Sequence, residues 1–325
     1  MKRKTLPFYF ALALAAAFTS GCKKDVLSPV PEATGTSLSA VTASGALSVT
    51  LNAWMSNVPD ATSMAALSIP GTHDSGARVE PVAGTAKCQT LSIGEQLDAG
   101  IRFLDIRCRH IGDAFAIHHG SIYQNMNFTD VLNACYGFLN SHPTETIIMC
   151  VKEEYDPTSN TRSFEQTFDS YVALNPGKWS MGTAVPNIGQ VRGKIVLLRR
   201  FGAASTPKGI DATSWADNTT FSINNGSASL RVQDQYQVPD NNTKWNNITN
   251  LFTEAKNGNS NVLYLNYSSG YKPLIFGIPS ITTVSNAINP KLNTYFSGNL
   301  KGRYGIIPMD FAVSDRASLI INTNF

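Results

Sequence analysis

IRFLDIRCR (residues 101–109) alternates apolar and polar side chains from Leu104 to Arg109, the period of an extended strand. That period sets Phe103, Asp105 and Arg107 on one face, so an apolar face turns charged toward the strand's C-terminal end. The same transition recurs along the chain. FAIHH (115–119) runs into Gly120 through His118 and His119, and TIIMCV (146–151) ends in Lys152-Glu153-Glu154. IVLL (195–198) ends in Arg199-Arg200, NVLYLN (261–266) follows, and YGIIPM (304–309) stops at Asp310. Helical spacing lies between several of these runs, as with Val131, Leu132, Cys135, Phe138 and Leu139. Strands alternating with helices predict a mostly parallel sheet. One polar residue at a strand end is usually just solvated. Repetition at strand after strand predicts an α/β fold, a barrel of alternating strands and helices with its polar mouth at the C-terminal ends.

The rest of the chain brackets this domain. Lys2, Arg3 and Lys4 precede an almost wholly apolar run over residues 6–18, too short to favour a spanning helix and consistent with an export signal. Thr19-Ser20-Gly21-Cys22 resembles a bacterial lipobox with Thr19 where an aliphatic residue is commoner, so residues 1–21 are expected as a lipoprotein signal and Cys22 as the lipidated residue. An acyl anchor would hold the protein at a membrane surface, and the expected location is that of an exported bacterial lipoprotein at the outer membrane, periplasm or cell surface. Residues 22–48 read as a flexible Ser/Thr/Ala/Pro/Gly-rich tether, and 49–325 as one catalytic domain, close to the ~250 residues of one barrel.

The charge sum is 26 cationic against 23 acidic residues; without the three N-terminal cations it is 23 against 23, which excludes binding of nucleic acid through bulk positive charge. Cys88, Cys108, Cys135 and Cys150 would lie in a compartment that permits disulfides, with three full pairings open and free buried thiols as the alternative. Their spacing does not match a zinc site.

SIPGTHDSG (68–76), IRFLDIR (101–107), HHG (118–120), PTETIIMCVKEEY (143–155), RGKIVLLRR (192–200), VQDQY (232–236) and Asp310 stand in one order. Together they resemble the bacterial phosphatidylinositol-specific phospholipase C family, of the X-domain type and metal-independent branch. The resemblance covers residues 51–311 and implies a distorted TIM-type barrel. It implies cleavage of phosphatidylinositol, or a glycosylphosphatidylinositol, to diacylglycerol and inositol 1,2-cyclic phosphate.

Such a transfer needs a base on the inositol 2-hydroxyl, an acid on the leaving oxygen and positive charge on the phosphoryl oxygens. Histidine suits both proton roles near neutral pH. By resemblance His73 is the general base, paired with Asp310, and His119 the general acid, supported by Asp74. Arg107, oriented by Asp105, takes the place of a metal, so no cofactor is expected. Lys152, Arg200 and Asp234 would contact inositol hydroxyls with Tyr236 under the ring, and Glu154 would join that polar layer. Alternation turns His118 away from His119, while His110 and His142 look solvated.

Residues 77–94 carry no aromatic residue to insert into lipid. The remaining rim candidate is YKPLIFGI (271–278), with Tyr271, Leu274, Ile275 and Phe276, which reads equally as a buried barrel element. A monomer is expected, with an inositol phospholipid and a membrane surface as partners. Two other readings compete: a glycerophosphodiester phosphodiesterase, which would need a metal held by acidic residues, and a non-catalytic lipoprotein that binds inositol glycans. The presence of Arg107 opposes the first, and the presence of both His73 and His119 opposes the second.

Overall fold

The computed structural model describes residues 49–298 and 300–325; the expected signal, Cys22 and the whole of the expected tether lie outside them. Its strands are β1 (Ser68–Thr72), β2 (Phe103–Ile111), β3 (Ala114–His119), β4 (Ile122–Asn127), β5 (Ile147–Thr158), β6 (Trp179–Ser180), β7 (Ile195–Arg200), β8 (Ile210–Asp211), β9 (Thr220–Asn224), β10 (Ser229–Gln233), β11 (Val262–Asn266), β12 (Lys272–Pro273), β13 (Pro279–Ser280) and β14 (Gly305–Met309). The helices are α1 (Ile93–Asp98), α2 (Phe128–Ser141), α3 (Phe164–Leu174), α4 (Ile188–Val191), α5 (Asn241–Asn257), α6 (Ile281–Phe296) and α7 (Ser314–Asn322). The main sheet runs β6-β7-β5-β2-β1-β14-β11-β10-β9. Every neighbouring pair is parallel except β9 with β10.

Strand alternation sorts the core into two layers. Ile69, Phe103, Ile148, Cys150, Val196, Leu198, Leu230, Val232, Leu265 and Ile306 point inward and fill the barrel. Their neighbours Leu104, Ile106, Met149, Val151, Leu197 and Ile307 point outward against Phe128, Val131, Leu132 and Cys135 of α2 and against the other helices. Gly71 is the inward residue of β1 beside Phe103; a Cβ there would come within 2.9 Å of the Phe103 side chain. The four cysteines are free and buried, so the thiol alternative holds and no disulfide forms among them.

The fold departs from eightfold regularity at one seam. No helix separates β7, β8, β9 and β10, and the two-residue strands β6 and β8 both pair with β7. No ladder joins β8 to β9 among the described residues; Asn225 Nδ2 instead donates to the Asp211 carbonyl at 2.8 Å. A second departure lengthens the barrel wall. β2 and β5 stay paired as far as Ile111 and Thr158, with register shifts, because the β2–β3 hairpin carries β2 beyond the barrel rim.

The bottom of the barrel is tied by a buried ion pair. Arg102, just before β2, donates through Nε and Nη2 to Glu145 Oε2 at 3.0 and 2.8 Å, and both side chains are fully buried. Arg102 also donates to the carbonyls of Leu97, Ile101 and Leu51, and Glu145 accepts from the Met55 amide. Removing one partner of such a pair leaves an uncompensated charge and costs about 3–5 kcal/mol. Arg102→Met should therefore lower unfolding free energy by that amount in a urea titration. It should leave turnover per folded molecule intact, because the pair lies at the end of the barrel opposite the polar mouth.

Candidate active site

The inward parity that fills the barrel continues past the strand ends and changes chemistry there. His73 follows Ile69 and Gly71 on β1, and Asp105 and Arg107 follow Phe103 on β2. Lys152 and Glu154 follow Ile148 and Cys150; Arg200 follows Val196 and Leu198; Asp234, Tyr267 and Asp310 extend the inward series of β10, β11 and β14. A pocket of about 420 Å³ opens among them, walled by His73, Arg107, His119, Lys152, Arg200 and Tyr236. The structure thus brings together the catalytic and substrate-binding residues expected from the sequence, while Cys22 lies outside the described residues.

Two histidine–carboxylate dyads face each other across this pocket. His73 Nδ1 lies 2.7 Å from Asp310 Oδ1, and His119 Nδ1 lies 2.8 Å from Asp74 Oδ2. An ionised carboxylate can only accept, so each Nδ1 carries the proton and each Nε2 is left to act elsewhere. His73 is fixed through its backbone: its amide donates to the Met309 carbonyl at 3.0 Å, and Gln89 Nε2 donates to its carbonyl at 2.8 Å. Asp310 Oδ2 accepts from the Gly270 amide at 3.3 Å. Asp74 has φ +38°, a left-handed conformation that Asp tolerates better than most residues, and its amide donates to Asp105 Oδ2 at 3.1 Å.

Arg107 is shared between carboxylates. Its Nη2 and Nε donate to Asp105 Oδ2 at 3.1 and 3.2 Å, and its Nη1 donates to Glu154 Oε1 at 3.4 Å. Lys152 Nζ reaches Glu154 Oε2 at 2.8 Å, and Glu154 Oε1 also accepts from the Gly120 amide at 3.1 Å. Burial works against ionising Asp105, but Arg107, His73 and Arg200 outweigh it and hold its pKa at about 2. Burial likewise opposes charge on Glu154, which Arg107 and Lys152 bring down to about 2. A hard cation needs a set of oxygen ligands, and here the carboxylates nearest Arg107 are already committed to nitrogen donors.

The side of the pocket lined by Arg200, Asp234 and Tyr236 contains partners that no linear motif signalled. The Arg200 guanidinium stacks 3.8 Å over the Trp215 ring, whose Nε1 donates to Asp234 Oδ2 at 2.9 Å. Tyr236 donates its hydroxyl to Asp217 Oδ1 at 2.7 Å; that bond and partial burial push its pKa up to about 12. Tyr267 meets His73 edge-on at 6.2 Å. Trp215 and Asp217 sit in a polar loop without repeat or strand signal, and only the tertiary fold reveals their part.

Three outlying segments complete the comparison with the sequence. His118 is buried, with its ring parallel to that of Tyr155 at 6.4 Å, as the alternation implied. His110 corrects an expectation: it is buried, 2.8 Å from Thr167 Oγ1, because β2 runs through it rather than ending before it. His142 is half-buried and stacks on Phe138 at 4.6 Å instead of standing in solvent. In the rim segment Tyr271 is half-buried against Ala77, Cys88 and Ile281. Leu274, Ile275 and Phe276 are exposed, Phe276 at 97%, which decides against a buried barrel element.

Burial depresses protonation of His73, yet the Asp310 carboxylate overcomes it and, against some opposition from Arg107, leaves the pKa raised. Asp310→Asn removes the anion that stabilises the imidazolium, so the His73 pKa should fall. The imidazole NMR titration of the variant should move to lower pH, and an unmoved or upward shift would mean that the pair is not electrostatically coupled.

Comparison with known proteins agrees with this geometry. Residues 70–201 match the family described as phosphatidylinositol-specific phospholipase C, X domain. A "1-phosphatidylinositol phosphodiesterase" of Staphylococcus aureus is 34% identical over 307 residues, covering 87% of this chain and 97% of that protein. One of the same name from Listeria monocytogenes is 32% identical over 286 residues, covering 85% and 86%. A solved structure of the S. aureus phosphatidylinositol-specific phospholipase C superposes with a TM-score of 0.77 at 33% identity, covering 84% of this chain and 97% of that one. The L. monocytogenes enzyme gives 0.71 at 30% identity, covering 85% and 100%. With its barrel and its paired dyads, the chain belongs to the phosphatidylinositol-specific phospholipase C family.

Proposed function

We propose that the protein is a phosphatidylinositol-specific phospholipase C that releases diacylglycerol and inositol 1,2-cyclic phosphate without a metal. The observation that carries this reading is the convergence of two His–Asp dyads and Arg107 on one pocket. His73 Nε2 takes the proton of the inositol 2-hydroxyl, whose oxygen attacks phosphorus. The imidazolium formed is stabilised by Asp310. His119, charged and donating through Nδ1 to Asp74, gives its Nε2 proton to the departing glycerol oxygen. Arg107 neutralises charge that develops on the phosphoryl oxygens, where a preorganised donor contributes most. Lys152, Arg200 and Asp234 contact ring hydroxyls, and a lipid lacking those hydroxyls leaves such groups unpaired. Both phosphatidylinositol and its glycosylated form carry the required ring.

The test is an assay on phosphatidylinositol with and without EDTA. Activity should survive chelation, and Arg107→Ala should lower kcat far more than it raises KM, since its work is on the transition state. Loss of turnover in EDTA, restored by calcium, would overturn the metal-free reading.

The two histidines are distinguishable by leaving group. General acid–base catalysis contributes about 10²–10⁴-fold at each end. An aryl inositol phosphate needs no proton on its leaving oxygen, so His119→Ala should cost much less there than on the lipid. His73→Ala should cost similar amounts on both. Equal responses of the two variants would refute the assignment of acid and base.

Attachment to membranes has two proposed parts, acylation of Cys22 after removal of residues 1–21 and contact through Leu274, Ile275 and Phe276. No helix among the described residues is long and apolar enough to cross a membrane. Cys22→Ser should release the exported protein into the soluble fraction. Phe276→Ser should weaken vesicle binding of the released protein while leaving cleavage of a water-soluble substrate unchanged.

A further inference from the structure

Cys88 is a buried thiol that the proposed chemistry does not use, placed close to both dyads. Its position is set by backbone: its amide donates to the Ala77 carbonyl at 2.9 Å, and its carbonyl accepts from the Phe311 amide at 2.7 Å. The neighbouring Gln89 donates to the carbonyls of His73 and Met309, both at 2.8 Å. Cys88 Sγ comes within 3.7 Å of His119 Nδ1, the atom that also faces Asp74. One donor atom from each of Asp74, Cys88 and His119 falls within 4.8 Å of the others. Asp74 is fully buried, and its Oδ1 has no hydrogen-bond partner among the described residues.

We propose that a thiophilic divalent cation, zinc or cadmium, binds among Cys88 Sγ, His119 Nδ1 and the Asp74 carboxylate and inhibits the enzyme. Zinc–sulfur and zinc–nitrogen bonds of about 2.3 and 2.05 Å at a tetrahedral angle separate the two donors by about 3.6 Å. The observed 3.7 Å matches that span before any movement. The Nδ1–Oδ2 distance of 2.8 Å must open by a few tenths of an ångström toward the ~3.3 Å of two tetrahedral ligands. The partnerless Oδ1 supplies a second oxygen on the same carboxylate. Thiolate with imidazole selects soft and borderline ions over calcium or magnesium.

Binding displaces two protons to solvent, one from the thiol and one from His119 Nδ1. The ion, the thiolate and the carboxylate then form a neutral set, with Arg107 Nε 3.8 Å from Asp74 Oδ2 as the opposing charge. His119 keeps a proton only on Nε2, no longer as an imidazolium hydrogen-bonded to Asp74. Protonation of the leaving oxygen stops. The cysteine spacing gave no hint of this group because its ligands come from three separate segments.

The experiment titrates the chelator-stripped chain with cadmium chloride and, in parallel, zinc chloride. A thiolate-to-cadmium charge-transfer absorption should saturate at one equivalent, and cleavage of phosphatidylinositol should fall in step and return with EDTA. Calcium at the same concentration should do neither. Outer-sphere losses alone weaken metal sites by about 10–100-fold, so Cys88→Ser should abolish the band and raise the half-inhibiting concentration more than ~100-fold. Cys150→Ser should retain the band. Cadmium-113 NMR of the wild type gives the same answer without a variant, since the shift reports a sulfur ligand. No band, a band that survives Cys88→Ser, or a shift without sulfur overturns the proposal. The inhibitory consequence rests on His119 as the acid, whereas the band does not; a chain that gives the band but cleaves no phosphatidylinositol refutes the function and keeps the site.

Discussion

The Arg107 guanidinium donates to Asp105 and Glu154, and each of those carboxylates has a second obligation. Asp105 accepts from the Asp74 amide and so sets the turn after β1 that presents His73 on one side and Asp74 on the other. Glu154 accepts from Gly120 and Lys152, which ties the hairpin carrying His119 to the β5 rim. A single cation therefore holds the β1 turn, the β3 hairpin and the β5 extension in one arrangement. Taking it away would leave Asp105, and much of Glu154, as buried negative charge without sufficient compensation.

Around the two dyads depth separates the signs of charge, although Glu154, Asp217 and Asp234 also line the pocket. Arg107, Lys152, Arg200 and the two histidines line the pocket, whereas Asp74, Asp105 and Asp310 lie fully buried behind them. An incoming phosphodiester meets the cations first. The carboxylates behind keep those cations charged and pointed, a cost met in folding rather than during the reaction.

Much of this arrangement could be read from period-two geometry. IRFLDIR puts Asp105 and Arg107 on one face, and TIIMCV reads as a strand ending in Lys152-Glu153-Glu154, with the family resemblance singling out Lys152 and Glu154. The strand ends at Arg199-Arg200 and Asp310 are legible in the same way, and the resemblance chooses Arg200 over Arg199. What resisted reading were features fixed by distant segments. β5 continues through the charged run 152–158 because β2 stays beside it, although charge alone argued for a strand end. His110 is buried for the same reason. Trp215 depends on Arg200 and Asp234, residues brought to it only by closure of the barrel, and the proximity of Cys88 to His119 depends on the path of the loop after β1.

The seam between β8 and β9 bears on how such a pocket can diversify. Residues 212–219 cross it and place Trp215 and Asp217 on the pocket wall. No strand ladder runs from β8 to β9, so the length of this loop is not locked to a register. Doubling such a loop costs only about 0.6 kcal/mol in closure entropy. Insertions and deletions there can reshape this wall of the pocket while β1, β2, β3 and β14, which carry the two dyads and Arg107, stay in place. Headgroup selectivity and proton transfer are thus free to evolve at different rates within one barrel.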